Sequence, residues 1–189
     1  MIRKIVRGAM AGALPVVRLK VPAVRVRPGP RTSAPENLAR VVLVGVVSGL
    51  RSQWGTAAVA LTTRPGETAR PASLFAGAWA KGITAVAAAG ELVADKLPST
   101  PSRLSPPGFV PRLLLGALAA AALSRRPPGE TPVALAAVVG ALAAAGGAHG
   151  GARWRRAVHE RGRPDRPAAV AEDLVALVLA GAACAPWRR

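Results

Sequence analysis

The chain has 189 residues, of which 51% are hydrophobic and only 3% aromatic, and its 26 basic and 9 acidic residues give a net charge of +17. The length fits one domain, and the scarcity of aromatic residues argues against a nucleic-acid-binding protein that stacks bases, despite the positive charge. The single cysteine, Cys184, excludes an intramolecular disulfide, and neither histidine stands at a metal-ligand spacing from it. We therefore expect no metal and no cofactor.

The N-terminal segment, residues 1–37, is predicted to be a basic, disordered arm. It holds eight basic residues against one acid, Glu36, and its stretch "VRVRPGPRTSAPE" is too rich in proline and charge to be buried. Arg7 interrupts its first apolar stretch, so a secretory signal peptide is not expected. The rest of the chain, residues 38–189, is predicted to be a transmembrane helical domain.

Five apolar runs in that domain predict its helices, and proline- or arginine-rich segments separate them. The runs are 41–61, 73–93, 109–124, 132–152 and 168–186. Three of them reach the roughly 20 residues that a helix needs to cross a bilayer. The predicted fold class is all-α, a multispanning membrane helix bundle with about five transmembrane helices and short loops.

A soluble, alanine-rich helical bundle is the alternative, since a mean hydropathy of +0.30 is low for a membrane protein and alanine is only marginally favourable in lipid. A soluble surface helix, however, carries polar residues on one face. The stretch "PVALAAVVGALAAAGGA" carries none on any face. This favours a multi-pass integral membrane protein.

The distribution of basic residues predicts the orientation, because lysine and arginine accumulate in cytoplasmic segments. With a cytoplasmic N-terminus, five spans leave 18 basic residues inside and 6 outside. We therefore expect the N-terminus and the loops 97–111 and 154–167 to be cytoplasmic, and the C-terminus to lie outside.

Glycines spaced four residues apart predict close contacts between helix backbones. The pairs are Gly45 with Gly49, Gly146 with Gly150, and Gly147 with Gly151. The pattern indicates a packed bundle and leaves a homo-oligomer open.

Charged residues within or beside the apolar runs form the predicted site. Charges in membrane spans are costly, so they usually face a bundle interior or a watery cavity and pair with one another. We predict that Arg51 pairs with Glu172 or Glu91 on another helix. The predicted polar cluster consists of Arg51, Lys81, Glu91, Asp95, Lys96, Glu172 and Asp173.

This cluster has two interpretations, an ion-coupled pathway or anionic substrate site, and a set of structural salt bridges. Asp95 and Lys96 can also simply end a helix in water. Three further arginines at the end of the fourth run are predicted to bind anionic lipid headgroups. These are Arg153, Arg155 and Arg156.

The motifs "GLRSQWG", "GELVADKLPSTPSR", "RLLLGALAAAAL" and "AVAEDLVALVLA" together resemble the domain-of-unknown-function 4126 family of bacterial integral membrane proteins. The resemblance covers roughly residues 40–185 and is most specific in "ELVADKLP". It implies a small integral membrane protein and no particular activity. The residues at the motif positions are Arg51, Glu91, Asp95, Lys96, Pro98, Glu172 and Asp173.

The leading functional hypothesis is a small transporter or channel-like protein that uses Arg51 against Glu91 and Glu172. The alternative is a structural or scaffold protein that binds partners or anionic lipid through its arginine-rich cytoplasmic face. An enzyme is not expected, because no HExxH, metal-ligand spacing or paired nucleophile and base occurs. The expected partners are the lipid bilayer and anionic lipid headgroups, and no nucleic acid.

Overall fold

The computed structural model describes residues 34–94, 104–126, 131–162 and 164–185. These residues form six α-helices and a short 3-10 turn at Ala72–Phe75, and none of them is in a strand. The helices are α1 (Ala34–Leu50), α2 (Trp54–Thr62), α3 (Ala78–Ala94), α4 (Pro106–Ser124), α5 (Val133–Glu160) and α6 (Asp165–Cys184). The all-α prediction is confirmed. The first helix begins before the predicted domain boundary at residue 38, while the arm up to residue 33 lies outside the described residues.

The first predicted span, 41–61, is two helices rather than one. A β-carbon added to Gly55 in α2 would lie 3.0 Å from the carbonyl oxygen of Val44 and would clash with the side chain of Ser48, both in α1. In one continuous helix Gly55 would be about 16 Å along the axis from Val44. The chain therefore reverses between Leu50 and Trp54, and α1 and α2 form an antiparallel helical hairpin.

Contacts near the helix termini show that successive helices run in opposite directions. Lys81, near the start of α3, donates to the carbonyl of Thr63 after α2, and Trp54 donates to the carbonyl of Ala88 late in α3. Further contacts extend the alternation through α6. They join Arg112 to Glu91, Asn37 to Thr131, Arg51 to Asp173, and Arg40 to Ala183.

The bundle therefore has two ends. At one, which we call the Arg51 end, α1, α3 and α5 finish and α2, α4 and α6 begin. At the other, the Arg126 end, α1 begins beside Arg126 and the C-terminus of α6. The predicted orientation required the start of α1 to share a side with the loops after α3 and α5. The hairpin puts the start of α1 at the opposite end of the bundle from the C-terminal ends of α3 and α5, which differs from that prediction.

Helices α1, α4 and α5 form the centre of the bundle and approach closely at glycines. A β-carbon on Gly45 would lie 2.6 Å from the carbonyl oxygen of Gly140, and one on Gly147 would lie 2.5 Å from that of Val46. Gly49 likewise has no room for a side chain beside Ala144. The predicted close packing is thus confirmed at these three sites. It is wrong at Gly146 and Gly150, where an added β-carbon would meet nothing within 4 Å.

Three helical segments are long and apolar enough to cross a membrane, namely Pro106–Ser124, Val133–Glu160 and Arg166–Cys184. Helices α1 and α3 have 17 residues each, which gives them a length of about 25 Å. This is short of the roughly 30 Å hydrocarbon core of a bilayer, so five spans are not confirmed.

The outer surface of the described bundle is rich in exposed apolar side chains. Helix α3 buries none of its residues, and its Trp79 is 81% exposed. Helices α4, α5 and α6 turn Leu114, Leu142 and Val178 outward with at least 65% exposure each. Apolar surface outside and charged side chains inside is the arrangement expected in lipid.

Candidate functional site

The helical hairpin places Arg51 at its tip. The backbone N–H of Arg51 still donates to the carbonyl of Val47 at 2.8 Å, as in a helix, and the N–H of Trp54 then donates to the carbonyl of Arg51 at 3.1 Å. The three residues Arg51, Ser52 and Gln53 therefore make the whole reversal. Arg51 is only 2% exposed, so its guanidinium needs partners inside the bundle.

Asp173 on α6 is one such partner. Nη2 and Nε of Arg51 both lie 2.6 Å from Oδ1 of Asp173. Charge-assisted bonds of this kind are roughly twice as strong as neutral ones. The sequence predicted an acid from another helix, Glu172 or Glu91, and the structure gives Arg51 the residue next to Glu172.

Glu91 on α3 binds the start of α2 instead. Its Oε1 accepts hydrogen bonds from the backbone N–H and the hydroxyl of Ser52, both at 2.7 Å, and its Oε2 accepts from the N–H of Gln53 at 2.9 Å. These amides precede the first turn of α2, where helices have unsatisfied donors and a partial positive charge. Nη1 of Arg112 on α4 lies 3.5 Å from the same Oε1.

Glu172 on α6 forms a third pair, with Arg155 on α5. Nε of Arg155 lies 3.0 Å from Oε2 of Glu172, whose side chain is 2% exposed. Arg155 was predicted to bind anionic lipid headgroups, and the structure shows it in an ion pair with Glu172. Arg112 was not among the predicted site residues. The signal that identifies Arg112 is its position in the apolar run "FVPRLLLGALAAAAL".

These three pairs, Arg51–Asp173, Arg112–Glu91 and Arg155–Glu172, are called the ion-pair layer below. They are connected through the chain, because Arg51 precedes the Ser52 that binds Glu91, and Asp173 follows Glu172. The hairpin tip and α3 to α6 all contribute a side chain. Three arginines and three carboxylates make the layer neutral as a whole.

Of the remaining predicted site residues, Lys81 is not brought to this layer. Lys81 donates from Nζ to the carbonyl of Thr63 at 2.9 Å, at the Arg126 end, so its predicted place in the cluster is corrected. Asp95 and Lys96 lie outside the described residues.

Arginines at the Arg126 end bind main-chain carbonyls. Nε of Arg40 donates to the carbonyl of Ala183 at 2.7 Å, and Arg126 donates to the carbonyl of Val59 and to the hydroxyls of Thr62 and Thr63 at 2.8 and 2.7 Å. Burial lowers the pKa of the Arg126 guanidinium from its ordinary value, because desolvation disfavours the charged form. These arginines cap the C-terminal ends of α6 and α2.

No group of three or more metal-binding side chains occurs among the residues that the structure describes. Comparison with protein-family models, with curated proteins and with solved structures gives no match to this chain.

Proposed function

We propose that this chain is an integral protein of the bacterial inner membrane and acts as a small transporter or channel-like protein. The observation that carries the proposal is the ion-pair layer, in which buried and partly buried charges from four helices and the hairpin tip form three ion pairs. Broken helices with charged partners near the reversal are a common way to build transport sites. Charges buried this deeply are also rare unless they serve transport or hold the fold together.

The contacts of Glu91 support an anionic substrate. Its carboxylate accepts hydrogen bonds from the backbone amides of Ser52 and Gln53, and Arg112 lies beside it. A helix N-terminus of this kind also suits a phosphate or carboxylate group of a ligand. An incoming anion can replace Glu91 at these donors once Glu91 takes up a proton and becomes neutral. We therefore propose that anion entry is coupled to protonation of Glu91.

The orientation that best supports this function has the Arg51 end in the cytoplasm. Six basic residues lie between 153 and 166, from the last turns of α5 to the first turn of α6 at this end. Basic residues beside the ends of membrane-spanning helices favour the cytoplasmic side. The start of α1 would then face outward, so the proposed orientation keeps the predicted cytoplasmic loops and gives up a cytoplasmic start of α1.

Purified protein in proteoliposomes tests the proposal. Chloride, acetate and inorganic phosphate serve as probe anions, and a trapped pH dye reports protons. We expect anion uptake that carries protons with it. In Glu91→Gln, which mimics the protonated carboxyl, uptake should lose its dependence on pH. Glu160→Gln, an exposed carboxylate at the end of α5, is the matched control. Absence of uptake for all three anions, or an unchanged pH dependence in Glu91→Gln, would contradict the proposal.

A scaffold function is the second candidate, and the exposed arginines of the Arg51 end favour it. They are Arg153, Arg156, Arg161 and Arg166. A scaffold should lose its partners when these arginines are replaced and tolerate Glu91→Gln, whereas a transporter should show the reverse.

Membership of the domain-of-unknown-function 4126 family is likewise our proposal. Its support is the set of motif residues at the Arg51 end, Arg51, Glu91, Glu172 and Asp173 among them. The resemblance carries no activity, so it neither favours nor opposes transport.

A further inference from the structure

An open groove lies between α5 and α6 beside the end of α1. Its volume is about 280 Å³, and its walls include Leu50, Gly150, Trp154, Ala171, Val175 and the buried Glu172. Apart from Glu172 these residues are apolar. Since α5 and α6 are both long and apolar enough to cross a membrane, the groove would open toward lipid.

Gly150 shows that this groove is empty space rather than a helix contact. A β-carbon added to Gly150 would meet nothing within 4 Å, whereas Gly147, one turn earlier, presses against the carbonyl of Val46. Glycine in a helix is less favourable than alanine by about 1 kcal/mol. Packing within the chain explains this loss at Gly147, whereas Gly150 leaves the space of the groove open.

The charges around the groove are mainly positive. Arg155 is paired with Glu172 in its wall, at 3.0 Å, while Arg153 and Arg156 are exposed on the same turn of α5. Arg153 and Arg156 therefore add exposed positive charge on the helical turn that carries the groove residue Trp154. Trp154, which is 48% exposed, lies between them, and exposed tryptophan beside arginine is typical of the headgroup region of a membrane.

We propose that this groove binds an anionic phospholipid, with one acyl chain between α5 and α6 and the phosphate at Arg153 and Arg156. The apolar walls suit the chain, and the exposed positive charge suits the phosphate rather than a zwitterionic headgroup. Gly150 leaves room for the chain. This lipid site does not require that the protein transports an ion.

The test uses the full-length protein, delipidated in detergent and mixed with equal amounts of phosphatidylglycerol and phosphatidylcholine that carry the same acyl chains. Retained lipid is measured by mass spectrometry after gel filtration. We expect retention of phosphatidylglycerol over phosphatidylcholine. Arg153→Gln and Arg156→Gln should each weaken it about fivefold, since a basic side chain near an anionic surface contributes about that factor.

Gly150→Leu should fill the groove and abolish retention of phosphatidylglycerol. Gly181→Leu on α6 is the matched control, because a β-carbon there also meets nothing within 4 Å and Gly181 does not line the groove. The proposal is wrong if Gly150→Leu retains as much phosphatidylglycerol as the unmodified protein, or if both lipids are retained equally. It is also wrong if Gly150→Leu changes the oligomer mass and not the lipid content, because the occupant would then be a second copy.

Discussion

The two ends of the bundle use buried arginine in different ways. At the Arg51 end, three arginines pair with three carboxylates from other helices. At the Arg126 end, Arg40 and Arg126 donate to carbonyls and hydroxyls at helix termini. An arginine bound to a carbonyl holds a helix terminus. At the Arg51 end each arginine instead faces a carboxylate, and under the proposed function it is these carboxylates that an incoming anion rearranges.

The hairpin itself gives the largest expected effect, because labelling from one side of a membrane is all or none. Single cysteines at Pro35, Arg64 and Arg161, in a Cys184→Ala background, are exposed to an impermeant thiol reagent. We expect Pro35→Cys and Arg64→Cys to be labelled from the same side and Arg161→Cys from the other. If residues 41–61 formed one continuous span, Pro35→Cys and Arg161→Cys would instead be labelled from the same side. The assignment of α1 and α5 termini to the two ends of the bundle would then be wrong.

Breaking the pair at the hairpin tip should give the largest loss of stability. Arg51→Ala leaves Asp173 without its partner, and removal of one member of a buried pair costs about 3 to 5 kcal/mol. Thermal unfolding in detergent measures the change. Arg161→Ala, an exposed arginine at the same end, should change stability by less than about 0.5 kcal/mol.

A double-mutant cycle then identifies the carboxylate that pairs with Arg51. The Arg51→Ala, Asp173→Ala pair should show a coupling energy of about 0.5 to 3 kcal/mol, larger than the cycle of Arg51 with Glu91. Additive losses for Asp173 would mean that Arg51 is held by other contacts, and the ion-pair layer would then not include it.

Apolar composition was sufficient to predict the all-α class and the approximate positions of α4, α5 and α6. It could not predict the hairpin, because run 41–61 has the length of one span and also of two shorter helices. Tertiary contacts decide between them, here that of Gly55 with Ser48. The polar triplet Arg51, Ser52 and Gln53 lies at the reversal. On sequence alone the same triplet is equally consistent with one continuous span that carries a charge at its middle.

The predicted cluster includes Arg51, Glu91, Glu172 and Asp173 but does not name Asp173 as the partner of Arg51. Glu172 and Asp173 are neighbours, about 100° apart around α6, so the rotation of α6 decides how each of them is placed toward Arg51. That rotation depends on packing with α1 and α5, which no local pattern encodes. Lys81 was assigned to the wrong end of the bundle for a related reason. Its position along α3 does not by itself specify which end of the bundle that part of α3 occupies.

Helices α1 and α5 are in close backbone contact, and two adjacent glycines of α5, Gly146 and Gly147, test this contact. Gly147→Ala puts a methyl group 2.5 Å from the carbonyl oxygen of Val46, and such overpacking typically costs about 1 to 3 kcal/mol. Gly146→Ala has open space and should be neutral or stabilising by up to about 1 kcal/mol. Thermal unfolding of both variants measures the difference. Equal effects would mean that α1 and α5 are not in direct backbone contact.

A substitution at the Arg126 end tests whether arginine there acts only as a helix cap. Arg126→Gln removes donors to the carbonyl of Val59 and to two threonine hydroxyls, and we expect a loss of about 1 to 3 kcal/mol for acceptors left unsatisfied. Arg125→Gln is the matched control, since Arg125 is exposed and should contribute less than about 0.5 kcal/mol.

Arg126→Gln should also leave any anion uptake and its pH dependence intact, because the contacts of Arg126 lie at the opposite end from Glu91. An uptake defect in Arg126→Gln at unchanged stability would show that both ends belong to one pathway, and the division of roles between the two sets of arginines would be wrong.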